Sequence, residues 1–293
     1  MKKACFTAAA ILFLSAAAAV TPAEAESSGE ELSVFVSIPP QKHFVEQIAG
    51  DRVDVRVMVP PGSHPATYEP AARQMAALSE CELYFAAGVP FEKAWMEKIL
   101  AANPDLRVVH TDAWIEKQPV ERGSHHGHDH GTADPHTWLS PPLVMVQARH
   151  ILTSLTAADP ENADLYNSRY KDFISKTAEL DEKLRSLFPA GEKKYEFMVF
   201  HPAWGYFADA YGLKQTAVET EGKSLKAAEI RRLVEHAEKK DIRAVLVQPQ
   251  ISSRTAEMIA SEIDGEIIKA DPLAENWAEN LIEVAEIISR ASR

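Results

Sequence analysis

Tyr166, Tyr170, Phe173, Thr177, Leu180, Leu184 and Leu187 follow one another at spacings of four, three, four, three, four and three. That rhythm keeps all of them on one face of an α-helix. It predicts about 25 residues of unbroken helix, about 37 Å at 1.5 Å per residue, ended by Pro189-Ala190-Gly191. A rod of that length near the middle of the chain leaves two segments that must each find a core.

Both segments alternate strand and helix. Before the rod, strands are expected at 34–38, 53–59, 83–87 and 107–110, and helices at 70–79, 91–102 and 142–156. Pro70 suits a first helical position, and Val53 to Val59 alternates apolar and charged residues as a strand does. After the rod, strands are expected at 196–200, 216–218, 244–247 and 266–269, with helices at 203–211, 225–240, 254–263 and 276–289. Alternation of this kind predicts parallel sheets covered by helices. The fold class is therefore α/β, with two lobes, each a mainly parallel four-stranded sheet flanked by helices, joined by one long rigid helix. The boundaries read as a leader at 1–25, an N-terminal lobe at 26–157, the connecting helix at 158–190 and a C-terminal lobe at 191–293.

The leader rests on Lys2 and Lys3, an apolar run from Ala8 to Val20, and the small-residue ending Ala23-Glu24-Ala25, the layout of a cleavable secretory signal. Cys5 precedes that run, so no lipid-attachment site is expected and the mature chain should begin near Glu26. Cys81 then has no partner for a disulfide. The formal charge of −12 argues against nucleic acid and anionic membrane surfaces and suits a cationic ligand. With only 12 glycines, no glycine-rich phosphate loop is seen.

Histidine is distributed unevenly. Of 11 in the chain, His125, His126, His128 and His130 lie in a polar stretch within a loop at 119–133, too poor in apolar residues to order itself. They read as an accessory, low-affinity metal loop. His136 follows in the stiffer Asp134-Pro135-His136-Thr137-Trp138. Ligands of open parallel sheets bind at the carboxyl ends of the strands, and that rule selects His64 after the second strand, His136 after the fourth and the insert, His201 after the strand at 196–200, and Asp271 after the last strand. Three imidazoles and a carboxylate suit tetrahedral zinc; more oxygen donors would suit manganese. Each imidazole needs an acceptor to fix its tautomer, for which Glu69, Glu219 and Glu221 are candidates. His43, His110, His150 and His236 read as structural, His236 on a solvated, charged helix face.

These motifs carry a family resemblance. Pro39-Pro40-Gln41 with Gly50-Asp51 ahead of Val53, PPGSHPATYEP at 60–70 with Gln74 and Leu78, DPHTWLSP at 134–141, HPAWGYFADAYG at 201–212, GKSLKAAEI at 222–230, VQPQIS at 247–252 and DPLAENW at 271–277 together resemble the solute-binding components of ABC-type zinc importers, the TroA-like cluster A-I family. The resemblance spans essentially the whole mature sequence. It implies two lobes joined by one long helix, a metal between them and delivery to a membrane permease, with ligands at His136, His201 and Asp271. The first motif departs from the pattern: many members carry the histidine where this chain has Ala66. Either the loop folds so that His64 reaches the metal, the favoured reading, or three protein ligands and a water hold it.

The expected function is capture of Zn2+ in the periplasm and its delivery to an inner-membrane ABC permease with its ATPase, by a monomer for which a periplasmic metallochaperone is a further candidate partner. No catalysis is expected. The alternatives are a zinc-dependent hydrolase, disfavoured because no HExxH helix or base beside the metal is seen, and a protein of the same fold that binds or buffers manganese or another divalent metal.

Overall fold

The computed structural model describes residues 31–120, 133–189, 195–219, 226–251 and 254–291. Two four-stranded sheets stand on either side of a 25-residue helix. The first comprises β1 (Leu32–Val36), β2 (Val53–Val57), β3 (Leu83–Ala86) and β4 (Arg107–His110) in the order β2-β1-β3-β4; the second comprises β5 (Glu196–Val199), β6 (Lys214–Ala217), β7 (Ala244–Val247) and β8 (Glu266–Lys269) in the order β6-β5-β7-β8. Every strand pairing is parallel. The inner strands β3 and β7 are buried along their whole length, while the edges β4 and β8 are buried at neither end, as expected when helices cover both faces of a parallel sheet. In each sheet the strand order reverses beside its first strand, so all carboxyl ends open on one edge with a switch point in the middle.

Helices α1 (Pro39–Ala49), α2 (Ala72–Leu78), α3 (Pro90–Ala102) and α4 (Pro141–Ala158) belong to the first lobe, and α6 (Gly205–Tyr211), α7 (Ala227–Lys240), α8 (Arg254–Glu262) and α9 (Trp277–Ala291) to the second, with α5 (Ala163–Leu187) between them. The stripe expected on α5 is the face it buries: Tyr166, Phe173, Thr177, Leu180 and Leu184 are buried, and Tyr170 and Leu187 pack partly buried against the same core. Helix α1 was not expected. Its two prolines occupy the first turn, where no intrahelical N–H is needed, and Phe44, Val45 and Ile48 behind them are buried. Helix α6 starts at Gly205 rather than at Ala203, because the Ala203 N–H turns back to the His201 carbonyl at 2.8 Å.

Helix α5 packs against α1 and α4 on one side and α9 on the other. The lobes share one buried core that runs from Val34 in β1 to Ile288 in α9, with a smaller cluster around Met198, Val245 and Ile259 beside the second sheet. Two tryptophans close the junction reciprocally. Trp138 donates its indole N–H to the Pro272 carbonyl at 2.7 Å, and Trp277 donates to the Trp138 carbonyl at 2.7 Å. Trp277 also meets Phe44 of α1 edge to face at 5.0 Å between ring centroids, a favoured geometry for an aromatic pair. Glu31–Arg293 accordingly forms one compact unit. Among the described residues no helix is long and apolar enough to cross a membrane.

Candidate metal centre

Three histidines from three strand ends come together. His64 lies in the turn after β2, where its carbonyl accepts the Thr67 N–H at 3.1 Å. His201 follows β5 directly, and His136 caps a short 3-10 turn, Thr137–Leu139, ahead of α4. The rings of His64 and His201 are 5.5 Å apart between centroids, as are those of His136 and His201. Two imidazoles on one tetrahedral zinc, at Zn–N distances of about 2.05 Å, would have centroids about 5.2 Å apart. The pairs are thus spaced for a shared ion.

The nitrogens are not equally free. His136 Nδ1 lies 2.6 Å from Asp134 Oδ1, and the same oxygen accepts the His136 backbone N–H at 2.9 Å. A carboxylate can only accept here, so Nδ1 carries the proton and Nε2 keeps its lone pair. His201 is arranged likewise, with Nδ1 3.2 Å from Glu219 Oε2. The backbone makes that pairing: the Glu219 N–H donates to the Phe200 carbonyl at 2.8 Å, extending the β5–β6 register past the strand ends. In His64 the polarity is reversed. Its Nδ1 accepts the Ala66 N–H at 3.1 Å, so the neutral ring holds its proton on Nε2. Burial first, and then the neighbouring His201, push its pKa below the ordinary histidine value of 6.5, against an opposing pull from Glu219.

Asp271 stands at the end of β8. Its Oδ1 accepts the Gln250 side-chain amide at 2.8 Å and the Leu273 N–H at 2.9 Å. Gln250 and Pro272, its neighbours, line a cavity of about 330 Å³ together with the three histidines, Val89 and Trp138. Among the described residues no group of three or more His, Cys, Asp or Glu is arranged to hold a metal ion as it stands. His64 Nδ1 is engaged by the Ala66 N–H, and Asp271 Oδ1 by Gln250 and Leu273.

The cavity is also lined by Gly88, Val89 and Pro90. Glu92, 5% exposed, holds that turn through the Ala87 and Gly88 N–H groups at 2.8 and 3.0 Å and accepts Ser37 Oγ at 2.6 Å. Burial raises its pKa above the usual carboxylate value, and these hydrogen bonds work against that rise.

The structure therefore gathers His64, His136 and His201, while Asp271 reaches the cavity only through its neighbours Gln250, Pro272 and Leu273, which line it. His125, His126, His128 and His130 lie outside the described residues, as does Glu221. Of the other expected acceptors, Glu219 meets His201 and Glu69 is exposed. Asp134, as the acceptor for His136, was not anticipated; its signal is the Asp-Pro-His order, in which an aspartate can receive the backbone N–H two residues on. The four remaining histidines lie elsewhere. His43 faces Phe44, Phe173 and Trp277, His110 lies 4.0 Å from Asp112, His150 packs tilted against Trp114, and His236, its side chain 31% exposed, also binds Glu196 at 2.6 Å.

Comparison with known proteins gives a consistent result. The family model described as "Zinc-uptake complex component A periplasmic" matches residues 34–291. The high-affinity zinc uptake system protein ZnuA of Bacillus subtilis is 30% identical over 254 residues, covering 83% of this chain and 79% of that protein. A manganese-binding lipoprotein, MntA, of Halalkalibacterium halodurans is 26% identical over 260 residues, covering 86% and 83%. A zinc-bound crystal structure of a ZnuA deletion mutant superposes with a TM-score of 0.83 at 38% identity, covering 90% of this chain and 98% of that one.

Proposed function

The chain belongs to the family of periplasmic zinc-uptake complex component A proteins, and from that premise we propose how it holds its cargo. Membership supplies the function itself: the protein is the zinc-binding, periplasmic solute-binding component of an ABC zinc-uptake system, which works with a membrane permease and its ATPase, and its family is not one of enzymes. Zinc is the ligand it carries.

In the proposed site, Nε2 of His136 and Nε2 of His201 take the ion first, since both offer a lone pair without rearrangement. His64 joins after releasing the Ala66 N–H, and Asp271 supplies the fourth donor through the oxygen that Gln250 and Leu273 do not engage. An imidazole-rich set of this kind favours zinc over manganese. The observation that carries the reading is the pair of carboxylate-held imidazoles 5.5 Å apart between centroids. The formal charge of −12 favours approach of a cation.

We further propose that residues 1–25 are a cleaved leader, that the lobes run 26–157 and 191–293 with 158–190 between them, and that the mature protein is a soluble monomer. His125, His126, His128 and His130 serve as a weaker capture loop, and a periplasmic metallochaperone can pass zinc to the protein. Calorimetric zinc titration tests the site. His136→Ala and His201→Ala should each weaken tight binding by more than the roughly 10- to 100-fold typical of losing an outer-shell partner. Wild-type affinity in either variant would remove that residue from the site.

A further inference from the structure

Tyr206 lies on α6, the helix that follows His201, and is 3% exposed. Its hydroxyl is engaged in both senses by the first lobe: it accepts the Gln118 N–H at 2.9 Å and donates to the Asp134 carbonyl at 3.0 Å. Gln118 and Asp134 are themselves joined, the Asp134 N–H donating to the Gln118 carbonyl at 2.8 Å, and the adjoining Pro119 and Ala133 form an antiparallel bridge. Both backbone groups of Asp134 are therefore committed, one to Gln118 and one to Tyr206. The carboxylate of this pinned residue is the group that holds the His136 ring nitrogen at 2.6 Å.

We propose that Tyr206 is a positioning residue for zinc binding: its hydroxyl, reaching across from the second lobe, fixes Asp134, and through Asp134 fixes the tautomer and direction of His136. The proposal rests on the reading of His136 as a zinc ligand. Burial pushes the phenol pKa up to about 12 against the Gln118 hydrogen bond, with Asp134 adding to the rise, so the group remains a donor at any physiological pH. Phenylalanine would fill the same space and make neither hydrogen bond. The exposed contact between the Gln118 amide and Asp209 Oδ2 at 3.2 Å would survive that change and keep the segment attached to α6.

The test uses the full chain and three forms of it: wild type, Tyr206→Phe and His136→Ala. Zinc affinity is read by competition with a chromophoric chelator, and imidazole tautomers by nitrogen-15 NMR of the metal-free protein. Tyr206→Phe should bind zinc roughly tenfold more weakly, and its His136 signal should change from a single Nδ1-protonated form to a mixture while His201 keeps its own. Wild-type affinity with an unchanged His136 signal in Tyr206→Phe overturns the positioning role alone. Loss of affinity with His201 equally disturbed also overturns it, because the change would then be general loosening of the fold. Wild-type affinity in His136→Ala overturns the ligand assignment, and the proposal with it.

Discussion

An imidazole binds zinc only through a nitrogen that carries no proton, so tautomers rank the three histidines. His136 and His201 are fixed by Asp134 and Glu219 with Nε2 available, whereas His64 must give up the Ala66 N–H. Asp134→Asn and Glu219→Gln should each weaken zinc binding about 10- to 100-fold, and His64→Ala should cost less than His136→Ala; calorimetry on the variants decides the order. Acid should release the ion as well. An imidazole must be deprotonated to bind the ion, so protons compete with zinc for each histidine ligand. Affinity measured from pH 7.5 to 5.5 should fall by about tenfold or more, and a flat profile would contradict imidazole ligation. Strand-end placement singled out His64, His136 and His201 in the sequence, and the fold brings their rings together. The hydrogen bonds that set their tautomers were less legible, because the Gln118 and Tyr206 contacts that fix Asp134 join residues far apart in the chain.

At the scale of elements, the lobes are held by side chains that close across α5. Trp277→Phe on α9 would leave the Trp138 carbonyl without its indole donor and open space beside Phe44. The expected loss is about 2–3 kcal/mol of unfolding free energy, measurable by urea denaturation. A second element-level contact responds to acid. Glu196 of β5 accepts His236 of α7 at 2.6 Å, Lys214 at 2.9 Å and Thr216 at 2.8 Å. Burial acts to raise its pKa, but these bonds together outweigh it and hold the carboxyl at about 2, below the ordinary 4.5. A depressed carboxylate stabilises the fold above pH 4.5, and that contribution is lost as pH falls from 4.5 to about 2. Glu196→Gln should therefore lose on the order of 1–2 kcal/mol near neutral pH, after allowance for solvent screening, and show a flatter acid limb over that window. An unchanged limb in metal-free protein would show the contact to be inert. The stripe on α5 announced that helix in full. Helix α1 was harder to see, because Pro39-Pro40 reads as a break until the buried Phe44, Val45 and Ile48 are placed behind it. The His236 partner was hidden because α7 and β5 are brought together only by the folded sheet.

For the whole molecule, the shared core decides how the lobes respond to their cargo. Buried side chains run without interruption from β1 through α5 to α9, and Glu31–Arg293 is one compact unit, so neither lobe can unfold without exposing surface that the other covers. An ion held between His64 and His136 of one lobe and His201 and Asp271 of the other would then stabilise both together. At free zinc about 1,000 times the dissociation constant, linkage adds about 4 kcal/mol. For a protein approaching this size, each kcal/mol raises the melting temperature by about 2–4 °C, which gives an expected upward shift of about 8–16 °C. Scanning calorimetry should show a single transition without zinc and a single transition with it, displaced as a whole. Two resolved transitions, with zinc moving only one, would mean that the lobes melt separately and that the ion is bound within one of them; the two-lobe site would then have to be abandoned.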